Sequence, residues 1–280
     1  MISVVIPTYN RERVLANTLD SIAAQTYKEW ECIIVDDAST DRSMDVAAEY
    51  AKKDSRFKVL RNVRQKGAQG ARNTGILAAD GEWICLFDSD DIMYPDYMQV
   101  MADSIEEGID VIVCKALIQN RKTGKEEGLL DSIYADDYHI DLLAGKCYIP
   151  NDVTLIRREK LLAIHLLDEQ CPSLQELETH IRLSKIAKYK AIDKVLCEWN
   201  TGEMDTISVN TEKHIAGQLY IMRKHRWAYR RNAYTSFLVR ARNIWEDVTE
   251  MHAKSKYKMT LLCIVPELSI VLLKRRLFKK

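Results

Sequence analysis

The sequence predicts an α/β domain built on a mostly parallel sheet with helices on both faces. Mostly apolar, strand-length runs recur at residues 2–6, 32–35, 57–60 and 83–87, separated by stretches of helical periodicity. These runs lack the in-out alternation of a half-solvated sheet, which is the pattern of strands covered on both sides. Polar clusters then fall at the ends of three of them, where ligands bind in such sheets.

Each element has its own local reason. Residues 2–6 (Ile-Ser-Val-Val-Ile) form a strand closed by Pro7. Asn10 is placed to cap a helix carrying Leu15, Leu19 and Ile22 on one face. A second strand, residues 32–35, ends at Asp36-Asp37, and Ser39, Thr40 and Asp41 offer caps for a helix striped with Met44, Ala47, Ala48 and Ala51. Residues 57–60 are a third strand. Residues 67–79 are a helix whose Ala68, Ala71, Gly75 and Ala78 allow close packing on a sheet. Residues 83–87 are the fourth strand and 111–114 a fifth. After residue 115 the alternation fades, leaving an apolar stretch at 153–156 and a helix over 173–188. From residue 211 the chain is helical, basic and aromatic.

Composition narrows the function classes. The 280 residues suit one large domain or two modest ones, and 41 basic residues balance 41 acidic ones, so bulk charge points to no nucleic-acid partner. The balance conceals an asymmetry: residues 223–280 carry 15 Lys and Arg against 4 Asp and Glu. A basic tail suits an anionic partner, lipid headgroups being one candidate. Within it, residues 259–273 are apolar but broken by Pro266-Glu267, too short to span a bilayer. Two readings stay open for residues 254–280: contact with a membrane surface, or a helix packed on protein. The 7 cysteines lie mostly in apolar surroundings without a Cys-x-x-Cys pair, which reads as reduced thiols in a cytosolic setting. The chain enters a strand at once, so no leader segment is expected.

The densest chemistry is in residues 83–95, where an apolar strand ends in Asp88-Ser89-Asp90-Asp91. Three carboxylates in four positions repel and raise one another's pKa values. A divalent cation among them relieves that repulsion, whereas the ordinary alternative is a solvated turn.

Four blocks occur in order: residues 3–11, residues 35–41 (Val-Asp-Asp-Ala-Ser-Thr-Asp), residues 70–75 (Gly-Ala-Arg-Asn-Thr-Gly), and Phe87-Asp88-Ser89-Asp90-Asp91 with Pro95. Together they resemble the inverting family 2 glycosyltransferases of the GT-A fold, over roughly residues 1–210. The resemblance implies a nucleotide-sugar-binding half at 1–115 and an acceptor-binding half at 116–210; the basic helical extension at 211–280 lies beyond it and is read from composition alone. It implies that Pro7, Thr8, Tyr9 and Asn10 pack on the base, and that Asp37, beside Asp36, accepts from a uracil ring N–H. Lys66 and Arg72 then reach ribose or phosphate. Asp88, Ser89 and Asp90 form the Asp-x-Asp turn that holds Mn2+ or Mg2+ against the diphosphate, with Asp90 the first-choice ligand, Asp88 the second and Asp91 in support.

On the acceptor side the matching run is Gln175-Glu176-Leu177-Glu178, and Glu176 takes the general-base position. Glu replaces the usual Asp there, and Gln175 replaces a common acid. Glu178 points about 200° away and sits four before Arg182, as in an ordinary helical ion pair. His180 reads as a satisfied, half-buried histidine. Cys197-Glu198-Trp199-Asn200 departs from the basic or His residue common after a late strand.

The implied reaction is inverting transfer from a nucleotide sugar, UDP-linked, to a hydroxyl of a glycan or lipid-linked acceptor in cell-surface polysaccharide synthesis. The implied location is cytoplasmic, peripheral on the inner membrane face. Two rivals belong to other classes. A nucleotidyltransferase would carry a Gly-rich triphosphate loop after the first strand, and Pro7-Thr8-Tyr9-Asn10 has no glycine. A non-catalytic sugar-nucleotide-binding protein would share the fold.

Overall fold

The computed structural model describes residues 1–201, 211–250 and 255–269. Strands β1 (Ile2–Thr8), β2 (Trp30–Asp36), β3 (Phe57–Arg61) and β4 (Trp83–Leu86) lie parallel in the order β3-β2-β1-β4. Helices α1 (Leu15–Ala23), α2 (Ser43–Lys53) and α3 (Ala68–Ala78) connect them. Val4, Val5, Ile33, Ile34, Ile84 and Leu86 are sealed from solvent, as double-sided cover requires. A Cβ on Gly75 would stand 2.3 Å from Val5 Cγ1, so a glycine lets α3 lie directly on β1.

Asn10 does not cap α1. Its φ of 52° puts it in the left-handed region that Asn tolerates, and α1 begins at Leu15 without a side-chain cap. The Asn10 side chain reaches sideways instead: Oδ1 accepts from Thr40 N at 2.8 Å.

Strands β5 (Ile92–Met93), β6 (Val111–Asn120), β7 (Lys125–Leu130), β8 (Thr154–Arg157) and β9 (Tyr189–Thr201) complete the nine-stranded sheet. Here the sheet is mixed. β8 runs antiparallel between β4 and β6, β9 runs parallel to β6, and β7 folds back on β6 as a hairpin. The 121–124 connection is too short for a parallel crossover, so it fixes the β6–β7 pair as antiparallel. β6 crosses residue 115, so both halves share one sheet.

Helices α4 (Tyr97–Asp103), α5 (Tyr138–Ala144), α6 (Arg158–Ala163) and α7 (Gln175–Leu183) flank this part. α7 is shorter than the 173–188 expectation: Leu174, at φ 56°, breaks it at its start, and it ends at Leu183 with Ser184 as C-cap. The C-terminal extension is α8 (Thr211–Lys224), α9 (Arg226–Asn232), α10 (Tyr234–Glu250) and α11 (Ser255–Ile264). A Cβ on Gly217 would lie 2.7 Å from Ser173 O, so α8 seats closely behind the approach to α7.

Of the apolar 259–273 segment, Leu261, Val265 and Leu268 are fully buried, and Arg230 pairs with Glu267 at 2.9 Å. The described part therefore packs on protein; Lys254 and residues 270–280 lie outside the described residues. Among the described residues no helix is long and apolar enough to cross a membrane. All 7 cysteines are free thiols and all but Cys263 are buried.

Candidate active site

Because β1 lies between β2 and β4, their carboxyl ends form one rim, with Thr8 opposite Asp36 in register. Thr8 O accepts from Asp37 N at 2.8 Å, and Asn10 N donates to Ser39 Oγ at 3.0 Å, lacing the first two clusters together. Asp36 Oδ1 accepts from Ser39 N at 3.1 Å. Asp37 accepts from Asn62 Nδ2 at 2.6 Å and from Gly67 N at 2.8 Å, one bond to each oxygen. A carboxylate has about four acceptor sites, so capacity for a further donor remains. Tyr9 is exposed, and Lys66 Nζ lies 4.9 Å from its ring centroid. Pro7 closes the rim beside Thr8, whose buried Oγ1 has no hydrogen-bond partner among the described residues.

The residue 70–75 block has a job at nearly every position. A Cβ on Gly70 would stand 1.8 Å from Gln65 O, so only glycine allows the loop to turn there. Arg72 is buried, donates to Gln69 Oε1 at 2.9 Å, and pairs with Asp88. Burial alone would lower its pKa, but the charges of Asp88, Glu176 and Asp152 leave it raised. Its Nε is buried without a partner among the described residues. Asn73 exchanges bonds of 2.9 Å with the Leu167 backbone in both directions, anchoring the segment that leads to α7. Thr74 donates to Asn62 Oδ1 at 3.0 Å, closing a chain back to Asp37.

The acidic turn gains a member that sequence reasoning missed. Asp152, from the 3-10 turn Asn151–Val153, accepts from Asp88 N at 2.6 Å across 64 residues of sequence. Carboxylate oxygens of Asp88, Asp91 and Asp152 lie within 4.8 Å of one another. Asp91 and Asp152 are 1% and 2% exposed. Burial raises both pKa values, and the neighbouring carboxylates add to the rise. Asp90 lies outside this trio, with its Oδ2 3.9 Å from Arg11 Nε. Ser89 is buried between them. Asn200 braces the turn, donating through N to Asp91 Oδ1 at 2.7 Å and through Nδ2 to Asp90 O at 2.9 Å. The block that departs from the expected basic pattern thus still meets the acidic turn. Hard, crowded oxygen donors, with Arg72 paired to Asp88 and Arg11 near Asp90, fit a divalent cation.

On α7 the two glutamates diverge. Glu176 is half-buried, and its Oε1 accepts from Asn151 Nδ2 at 3.1 Å. Burial raises its pKa; Arg72 pulls against the rise and Asp88 adds to it. Glu178 is fully buried, with Arg182 at 2.7 Å, Lys224 at 2.7 Å and His225 at 3.2 Å. Burial would raise its pKa, but hydrogen bonds from His225, Arg182 and Lys224 bring it down to about 2. The ordinary surface pair expected with Arg182 is one arm of a buried network. His180, fully buried, shares a 2.9 Å bond with Tyr189 OH, and burial lowers its pKa to about 3. It is a satisfied core histidine.

With that geometry in place, comparison with known proteins is decisive at the family level. A family model described as "Glycosyl transferase family 2" matches residues 3–162. The chain belongs to this family. Among its relatives, glycosyltransferase GlyG of Streptococcus pneumoniae is 38% identical over 114 residues, 40% of this chain and 38% of GlyG. The Escherichia coli enzyme WfgD, named a UDP-Glc:alpha-D-GlcNAc-diphosphoundecaprenol beta-1,3-glucosyltransferase, is 38% identical over 100 residues, 36% of this chain and 39% of WfgD. The chain thus spans about two fifths of the length of the curated relatives it matches. Among solved structures, S. aureus TarS 1-349 superposes with a TM-score of 0.72 at 20% identity, covering 95% of this chain and 81% of that one. Mannosyltransferase PcManGT from Pyrobaculum calidifontis, solved with GDP-Man and Mn2+, gives 0.60 at 15% identity, covering 95% and 86%. These likenesses establish the GT-A fold of this family 2 chain.

Proposed function

We propose that this family 2 chain transfers a sugar from a UDP-sugar to a hydroxyl of a glycan or lipid-linked acceptor, with inversion. One observation carries the reading: Arg72 pairs with Asp88, and the charges of both Arg72 and Asp88 reach Glu176. The acidic turn and a candidate base therefore face one space. The acceptor oxygen attacks the anomeric carbon as the bond to the diphosphate oxygen breaks, and that oxygen leaves with the electron pair. Glu176 takes the hydroxyl proton, and a raised pKa brings a carboxylate closer to neutral pH, where a base works best.

Pro7, Thr8, Tyr9 and Asn10 with Asp36 and Asp37 take the nucleoside, and Lys66 and Arg72 take ribose or phosphate. Asp88 and Asp90 would hold Mn2+ or Mg2+, which supplies neutralisation of charge on the leaving diphosphate when bound. Asp91 and Asp152 back them, since two of the trio are too buried to meet a substrate-bridging ion by themselves. The names of WfgD and of TarS "in complex with UDP-GlcNAc" support UDP as carrier, and the WfgD name supports a lipid-linked acceptor. Peripheral contact of the basic tail with the cytoplasmic face of a membrane belongs to the same proposal. Besides the charge of residues 254–280, exposed Trp227 supports it, with Arg226 and Arg230 at 5.0 and 5.8 Å from its ring.

Thermal shift tests the donor site. UDP with Mn2+ should stabilise the protein more than UDP with chelator, and Asp88→Asn should erase the difference. Equal stabilisation by UDP in chelator removes the metal from the reading.

A further inference from the structure

Behind the proposed base stands a residue to which no role has yet been given. Asn151 is 5% exposed, and its Nδ2 donates to Glu176 Oε1 at 3.1 Å. Its own backbone is fixed, since Asn151 O accepts from Thr154 Oγ1 at 2.7 Å. The next residue, Asp152, accepts from Asp88 N at 2.6 Å, and Asp152 O accepts from Tyr97 OH at 2.9 Å. One 3-10 turn therefore grips α7 with one side chain and the acidic turn with the next. Rigid elements place a carboxylate more accurately than its own three torsions can.

We propose that Asn151 is a positioning residue for the base, holding the Glu176 carboxylate at a set distance from the acidic turn and in its ionised form. The proposal rests on the reading of Glu176 as base. An amide N–H bonded to a carboxylate favours the charged form, and a buried donor lost from that site leaves the carboxylate under-solvated. The groups acting on Glu176 from the packed elements are Arg72 on α3, Asp88 on the acidic turn and Asn151 itself, with Tyr148 close enough that Glu176 raises its pKa. Arg72 and the backbone N–H of Glu176 already oppose the effect of burial on the carboxylate, and the Asn151 amide is a neutral donor to the same group. That amide adds no charge that could compete with Arg72 for Asp88.

The test compares three variants of the full chain with Mn2+ and a UDP-sugar. Asn151→Asp keeps shape but turns the donor into an acceptor; Asn151→Leu removes hydrogen bonding; Glu176→Gln is the control for the base. Both Asn151 variants should lose ~10-fold to 100-fold in kcat while donor KM moves less than about twofold. In both, the acidic limb of the kcat–pH profile should move to higher pH, further in Asn151→Asp because a negative charge is added. UDP-induced thermal stabilisation should persist in each, which separates a positioning defect from unfolding. An unmoved acidic limb in the folded Asn151→Asp protein, beside an inactive Glu176→Gln, overturns the assignment to Asn151 alone. A Glu176→Gln protein that still transfers sugar overturns the base reading and this inference with it.

Discussion

The two faces of α7 carry the same carboxylate to opposite ends. Glu176, on the front, has one neutral donor and a raised pKa; Glu178, on the rear, has Arg182, Lys224 and His225 around it and a pKa of about 2. Two residues of helix separate them, and 200° of rotation decides which is surrounded by the extension and which meets the acidic turn. Chemistry needs a carboxylate able to accept a proton, whereas anchoring needs one that never does. The basic tail, anticipated as a partner-binding element, supplies Lys224 and His225 to the rear face and so belongs to the site's foundation.

The largest expected effect comes from removing the rear anchor. Glu178→Gln leaves Arg182, Lys224 and His225 around a neutral group, and chemical denaturation should show a loss of about 3–5 kcal/mol. Turnover per folded molecule should stay near normal; a stability loss under about 1 kcal/mol would place the network among weak surface pairs. Acid should produce a related effect. Glu178 has a folded pKa of about 2 against an ordinary 4.5, so its stabilisation is complete above pH 4.5 and is lost as pH falls through 2. That stabilisation is ~3 kcal/mol by linkage. His180, held at about 3 against 6.5, acts in the same direction over the window from pH 6.5 to 3. The contributions of His180 and Glu178 should therefore be lost below about 6.5, against an opposing gain from Asp91, Asp152 and Glu176, whose raised pKa values favour the fold as pH falls. The slope below 4.5 should flatten in Glu178→Gln.

On the front face the expected loss is kinetic. Glu176→Gln should cost at least ~100-fold in transfer, about 2.7 kcal/mol of barrier, while denaturation changes by no more than about 0.5 kcal/mol. Should transfer survive in Glu176→Gln and fail in folded Glu178→Gln, the two faces exchange roles. The smallest effect belongs to Lys224→Met. Lys224 bridges Asp168 and Glu178 but is 33% exposed, so solvent screening limits its loss to about 1 kcal/mol. A loss matching that of Glu178→Gln would make Lys224, rather than Arg182, the main counter-charge.

What the sequence determined by itself is local in origin. Strand length, buried patterning and small-residue helices placed β1 to β4 and α3, because each signal lies within about a dozen residues. The strand-end clusters followed, since a parallel sheet sends its carboxyl ends to one rim. Asp152 was legible only as a polar pair with Asn151 ahead of an apolar run; its approach to Asp88 depends on β8 slotting antiparallel beside β4. The capping expectation for Asn10 failed for a similar reason: Thr40, brought near by the β1–β2 pairing, offered its side chain a better partner than the helix did. Sequence gave Glu178 its i,i+4 partner Arg182, but not the burial that α8 and α9 impose. Burial is a property of what packs from elsewhere in the chain, and burial sets whether a carboxylate is an inert surface charge, a base or an anchor. Tertiary structure alone decided that.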